Sequence, residues 1–291
     1  MWTARPSSSK AALVSRTPGD LRQLCALRRP ASPNIGGAAF RWPGLVVGVA
    51  GFGDPAFFGD RWASAYEDLT GGPDPASAVE FLAGLAGGGA RVLELAIGGG
   101  RVALPLARRG ITIEGVEASR AVVQRLRAVP GGESIPVVIA DMADVPVTGP
   151  FRLVYLVWNT LFNLTSQARQ VACFGNVARV LEPGGVFVIE CFVPDPARFD
   201  RGVETAEVTE DSATITLTRH DPVAQRITKQ HVTLDGQGMR LLPVALRYCW
   251  PSELDLMAQL AGLRLRERYS DWTRTAFDSS SRGHVSVYEL S

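Results

Sequence analysis

The rhythm of apolar and polar positions changes three times along the chain. Up to about residue 53 there is no sustained period, only short apolar runs cut by arginine, serine, proline and glycine. From Asp54 the pattern becomes regular. FFGDRWASAYEDL (57–69) has the spacing of a short amphipathic helix, GGPDP (71–75) breaks it, and SAVEFLAGLA (77–86) reads as a second helix. Five short runs then carry the near-continuous apolar character of strands buried on both faces: RVLELAI (91–97), ITIEGVE (111–117), PVVIAD (136–141), FRLVYLVW (151–158) and GVFVIECF (185–192). Helical spacing fills the gaps at about 100–109, 119–129 and 166–182, and Pro183-Gly184-Gly185 stops the last of these. Strand and helix in alternation predict a parallel sheet with helices on both faces.

After Pro196 the period shortens. ATITLTRH (213–220), RITKQHVTL (226–234) and MRLLPVALRYCW (239–250) read as three antiparallel strands, with Asp235-Gly236 as a hairpin turn between the last two. The parallel pattern resumes with a helix at 252–263, for which Ser252 and Asp255 suit a start. Two strands near 265–272 and 284–290 close the chain. The expected domains are a tail or extension over 1–53 and one α/β domain over 54–291. The antiparallel excursion at 201–250 is inserted into that domain.

Charge sharpens this division. The whole chain of 291 residues carries a formal +1, but residues 1–50 hold seven basic residues against the single acid Asp20. The rest is therefore five charges negative, which argues against a nucleic-acid partner for the folded part. The arginine-rich, acid-poor start also has the composition of a transit peptide, which stays open beside a plain tail or an upstream extension. No apolar run approaches the roughly 20 residues of a spanning helix, so no membrane contact is expected. Four cysteines without a CxxC pair suit a reduced, cytoplasmic compartment and no metal site. Lys10 and Lys229 are the only lysines, leaving little room for lysine chemistry.

The stretch richest in chemistry is VLELAIGGGR (92–101), where a buried strand runs into Gly98-Gly99-Gly100 and a helix follows at once. Glycine there lets backbone approach a ligand closely. Glu117 ends the next strand, nineteen residues after Gly98, where a carboxylate can accept hydrogen bonds from a ribose diol. Asp141 ends the third strand, placed to receive an adenine amino group. Three consecutive strand ends thus point to one nucleoside crevice. Gly98-x-Gly100-x-x-Ala103 fits a dinucleotide fingerprint, so a nicotinamide oxidoreductase stays open. Glu94 argues against it, because an acid four residues before Gly98 would repel a pyrophosphate and suit a cationic amino group.

These residues resemble the class I S-adenosylmethionine-dependent methyltransferases of small-molecule type, over roughly residues 57–291. ELAIGGGR (94–101) is similar to the family's ExGxGxG loop, with Ala96 where the first glycine is commonest. VEAS (116–119) is similar to its ribose motif, ADM (140–142) to its adenine motif and LEPGG (181–185) to the segment before its fifth strand. The resemblance implies a doubly wound, seven-stranded, mostly parallel Rossmann-like sheet whose last strand is antiparallel, with the excursion between strands 5 and 6 as a lid. It implies S-adenosyl-L-methionine as cofactor. Glu94, Ala96, Gly98 and Gly100 would sit at the methionine end, Glu117 and Ala118 at the ribose, and Asp141 and Met142 at the adenine. Tyr66 resembles an aromatic residue that closes over the cofactor.

Trp158, Asn159, Thr160 and Asn163 lead out of the fourth strand on the expected acceptor side, and Asn159 is expected to hold the acceptor or the cofactor's amino group. In the excursion, Arg219, Arg247, Tyr248 and Trp250 suit a small-molecule acceptor. His220, His231 and His284 are expected to be structural. A monomer or homodimer transferring a methyl group to nitrogen or oxygen is the expected protein; a non-catalytic cofactor binder is the remaining alternative.

Overall fold

Hydrophobic runs of six to eight residues, separated by helices that each carry one apolar stripe, bury themselves by stacking in parallel with the helices laid across both faces. The computed structural model, which describes residues 52–63, 74–199 and 202–291, has this arrangement. Its first part runs α1 (Phe57–Trp62), α2 (Ala76–Ala86), β1 (Arg91–Leu95), α3 (Ala103–Arg108), β2 (Thr112–Glu117), α4 (Arg120–Ala128) and β3 (Val137–Ile139). β4 (Phe151–Leu156), α5 (Gln167–Val180) and β5 (Leu181–Phe192) complete the parallel part. A short helix α6 (Pro196–Phe199) leads to β6 (Val203–Val208), β7 (Ser212–Asp221), β8 (Arg226–Asp235) and β9 (Gly238–Arg247). The chain closes with α7 (Pro251–Leu260), β10 (Leu263–Tyr269) and β11 (Gly283–Leu290).

The main sheet has seven strands in the order β10-β11-β5-β4-β1-β2-β3. β1 pairs in parallel with both β2 and β4, and β11 runs antiparallel to both β5 and β10. Its two faces bury different cores. Leu93, Leu95, Leu156 and Phe187 pack with Phe174 of α5 and Met257 of α7. Val92, Leu153, Tyr155 and Val188 pack with Phe81 and Leu82 of α2. Side-chain caps fix two helix starts: Ser119 accepts from the Val122 N–H at α4, and Ser166 from the Arg169 N–H at α5. The helix at 251–260 instead starts from Trp250 without a side-chain cap, with Pro251 in its first turn.

The excursion forms a second sheet of four strands, β6-β7-β8-β9, where the periodicity predicts three. The unforeseen strand is β6; its sequence VETAEV alternates weakly and sits on an edge. The helix expected to reach residue 182 stops at Val180, and β5 takes up the chain at Leu181, pairing with Phe151 across a register shift. Arg247 clasps the second sheet to the main domain. Its buried guanidinium donates to Gln170 of α5 at 2.6 Å and to Glu253 of α7 at 2.7 Å. None of the described helices is long and apolar enough to cross a membrane.

Candidate cofactor and acceptor site

After β1 the chain winds to β2 and β3 on one side, then crosses back to β4 on the other, so the strand order reverses at β1. Open α/β sheets bind ligands outside the carboxyl ends of the strands at such a switch point. A crevice lies there, lined by Ala96, Glu117, Ala118, Asp141 and Met142 from the main sheet and by Pro243 from β9. Five of the predicted cofactor residues therefore share one cavity. Phe52 and Gly53, which the sequence places in the tail, also line it.

Of the glycine-rich turn only Ala96 lies on the crevice wall; Gly98 and Gly100, predicted to line it, do not. Ala96, Gly98 and Gly100 all have positive φ, at 54°, 59° and 77°. At Gly100 a Cβ would lie 2.5 Å from Leu126 Cδ1, the end of a side chain that could shift, so it is the left-handed dihedral that calls for glycine. The Gly98 N–H, expected to be open to a ligand, donates to Glu117 Oε2 at 3.1 Å. Glu117 Oε1 accepts from the Ser119 N–H at 2.9 Å. Both oxygens keep a lone pair for a diol. Burial raises the Glu117 pKa above the ordinary carboxylate value against the pull of these N–H groups.

Glu94 lies behind the turn rather than on the crevice wall. It is 2% exposed and accepts from the Tyr155 hydroxyl at 2.8 Å. Burial pushes its pKa up to about 8, although the Tyr155 hydroxyl and the Ala103 backbone oppose the shift. Asp141 is held by the Ala143 N–H at 2.8 Å, and its other oxygen faces the guanidinium of Arg169. Nothing in the sequence marks Arg169, which simply falls in the first turn of α5.

The short helix α1 covers the crevice. Asp60 accepts from the Ser119 hydroxyl at 2.5 Å, and Trp62 Nε1 donates to the Pro243 carbonyl at 3.0 Å. Gly59 permits this docking, since a Cβ there would lie 2.5 Å from Ser119 Cβ. Tyr66 lies outside the described residues.

At the end of β4, Trp158 and Asn159 both take the left-handed conformation, with φ of 52° and 62°. Such strain in non-glycine residues persists only where surroundings over-determine it. Here the Trp158 N–H donates to Glu190 Oε2 at 2.7 Å, and Asn159 Oδ1 accepts from the Phe192 N–H at 2.5 Å. Arg101 lies over the Trp158 ring at 4.1 Å from its centroid. Asn159 does not line the cofactor crevice. It lines a second hollow, with Glu190, Phe192, Trp272 and His284. Thr160 and Asn163, just beyond it, do line the crevice. Of the excursion residues, Arg247 and Tyr248 are buried in structural contacts, with Tyr248 Oη 3.0 Å from His220 Nε2.

Residues 92–185 match a family described as a methyltransferase domain. The chain is 39% identical to the CcbJ methyltransferase from Streptomyces caelestis, whose structure superposes with a TM-score of 0.75 over 82% of this chain and 99% of that one. It is 27% identical to the cypemycin N-terminal methyltransferase of a Streptomyces species, over 69% of this chain and 83% of the relative. At 20% identity it shares its fold with the S-adenosylmethionine-bound amino pentose methyltransferase CalS10 from Micromonospora echinaspora, with a TM-score of 0.58 over 79% and 96% of the two chains.

Proposed function

Since the chain belongs to the class I S-adenosylmethionine-dependent methyltransferases, we propose that it methylates a nitrogen of a small-molecule acceptor. The nicotinamide alternative falls away with that membership. What carries the reading is Glu117 and Asp141 at the ends of neighbouring parallel strands, both opening on one crevice beside the Ala96–Gly100 turn. The residues suit the cofactor, because two buried carboxylates with free lone pairs match a ribose diol and an adenine amino group.

When bound, S-adenosylmethionine supplies a methyl group on a cationic sulfur. The chain's residues have four tasks. Glu117 orients the ribose, with Ala118 beside it. Asp141 and the Met142 backbone receive the adenine. Ala96, Gly98 and Gly100 shape the turn against the methionine end, and Glu94 braces that turn from behind through Tyr155 and Ala103. Asn159 holds the strained turn between crevice and hollow, so it acts on the acceptor side by position. Tyr66 keeps its reading as an aromatic closure. The second sheet, which contributes Pro243 and Ala245 to the crevice wall, supports the reading of an inserted lid.

Nitrogen is favoured over oxygen because an amine needs only a free lone pair, whereas a hydroxyl gains from a general base. Among the described residues no histidine lines the crevice. The methyltransferase named for cypemycin's N-terminus supports the same choice. S-adenosylhomocysteine should raise the melting temperature, and Glu117→Ala should weaken its binding by about 1.5–3 kcal/mol, as for hydrogen bonds to a charged group. Calorimetric titration checks both; unchanged affinity in the variant would remove Glu117 from the site.

A further inference from the structure

A third cavity adjoins the cofactor crevice beside the second sheet. Phe52, Gly53, Thr165 and Ala245 line both spaces. The turn after β4 leads from one to the other: Thr160 and Asn163 line the crevice, and Thr165 stands at the shared mouth. Strand register places the polar wall of this cavity on one face of the sheet. Arg219 of β7 is the cross-strand partner of Thr228 on β8, and Thr228 is that of Ala245 on β9. The row starts at the crevice with Ala245 and ends two strands away at Arg219, about 10 Å off at the usual strand spacing. The next row, Asp221 opposite Arg226, lies on the same face and also lines the cavity.

Two of the charged groups in this wall are already engaged. Arg226 donates through Nε and a terminal nitrogen to the Thr165 carbonyl at 3.1 and 2.7 Å, which ties the turn to the sheet. Asp221 Oδ1 accepts from the Val223 and Ala224 N–H groups at 3.1 and 3.0 Å, which holds it within its own hairpin. Arg219 and Thr228 differ. Among the described residues neither side chain has a hydrogen-bond or ion-pair partner. Asp221 and Arg226 balance in charge, so Arg219 leaves the wall one positive charge in surplus. A guanidinium offers paired N–H donors that match a carboxylate, and the hydroxyl on the neighbouring strand offers one more. A dianionic phosphate is a poorer match, because the Asp221 carboxylate stands two residues from Arg219 on the same face.

We propose that this cavity is a subsite for an acceptor that carries a carboxylate remote from its amine, a proposal that rests on the methyl-transfer reading above. The amine lies in the crevice on the side of Thr160 and Asn163, the carbon chain passes over Ala245, and Arg219 with Thr228 holds the carboxylate at the far end of the row. The span from the crevice to Arg219 acts as a ruler. An acceptor whose carboxylate sits too near its amine cannot reach Arg219 with its nitrogen in place, and one without the carboxylate forfeits the ion pair. Selection therefore comes from length and charge together. Arg219 is a specificity-determining residue outside the cofactor crevice.

Matched probes test this on the full chain saturated with S-adenosylhomocysteine: 4-aminobutanoate, 6-aminohexanoate and 8-aminooctanoate, each titrated beside its primary amide. The longer acids should bind roughly fivefold more tightly than their amides, the upper end for an exposed ion pair, and the shortest should show the smallest preference. Arg219→Gln should erase the preference and leave the affinity for S-adenosylhomocysteine unchanged; Arg219 is exposed, so the variant should fold. Arg219→Lys should keep part of the preference. 6-Aminohexyl phosphate should bind no more tightly than 6-aminohexanoate. Equal affinity of acid and amide at every length, a preference that survives Arg219→Gln, or tighter binding of the phosphate would overturn the subsite, while normal S-adenosylhomocysteine binding left the methyltransferase reading intact. Failure of S-adenosylhomocysteine itself to bind would overturn both.

Discussion

Glu94 leaves water on folding with the Tyr155 hydroxyl and the Ala103 amide as its replacement partners, and the exchange is incomplete. The folded chain holds its proton up to a pH of about 8, while an unfolded carboxyl releases it near 4.5. Between those values the folded state binds the extra proton. The stability this brings is complete below the lower value and is lost as the pH rises towards the upper one, by at most about 1.4 kcal/mol per pH unit. Melting curves from pH 5 to 9 should therefore fall more steeply for the wild type than for Glu94→Gln, and parallel slopes would refute the assignment. A strand pattern shows that Glu94 lies on a buried strand, but not that a tyrosine 61 positions later will meet it. The same limit applies to Arg169, whose pairing with Asp141 depends on how α5 crosses the sheet. Asn159 was legible as a polar residue leading out of the fourth strand. Its cavity was not, because its left-handed backbone turns it away from the crevice.

At the scale of elements, α1 supplies one wall of the crevice through Phe57, Phe58 and Gly59. Gly59→Ala places a Cβ 2.5 Å from Ser119 Cβ, against the residue that caps α4 and follows Glu117. Overpacking of this kind costs about 1–3 kcal/mol. The variant should lower both the melting temperature and the affinity for S-adenosylhomocysteine. Gly84→Ala on α2, where nothing lies within 4 Å of the added carbon, is the control and should be neutral or slightly stabilising. If both variants behave alike, the docking of α1 does not shape the site. The central parallel strands β1 and β4 were readable because both their faces are buried; β3, on the sheet edge with Val138 40% exposed, was readable from its β-branched run instead. β6 was not readable, since an edge strand with two glutamates in six residues carries no such signal. The end of α5 was misplaced because Pro183 and Gly184, which read as a helix stop, belong to the start of β5.

For the molecule as a whole, cohesion between the two sheets runs through Arg247. Its side chain is 7% exposed and that of Glu253 is 17% exposed, so removing the arginine leaves the carboxylate in a poorly solvated place with only the Gln167 and Gln225 amides to satisfy it. Arg247→Met should destabilise by about 3–5 kcal/mol, the usual cost of breaking a buried pair. Thermal unfolding measures it, and a loss within experimental noise would show that the clasp contributes little. Deleting residues 1–50 should leave S-adenosylhomocysteine binding unchanged, because the described crevice wall begins at Phe52; a weakened titration would assign the basic segment to the binding unit.

The helix α1 is anchored at Ser119 on one side and at Pro243 on the other, with only one residue between Asp60 and Trp62. The bond to the Asp60 carboxylate is the stronger kind, and that of Trp62 to the carbonyl the weaker. Joined by so short a tether, each holds the other's partners at high effective concentration, so the two let go together. Weakening either anchor should therefore loosen the helix as a whole and lower the affinity for S-adenosylhomocysteine, which titration would read.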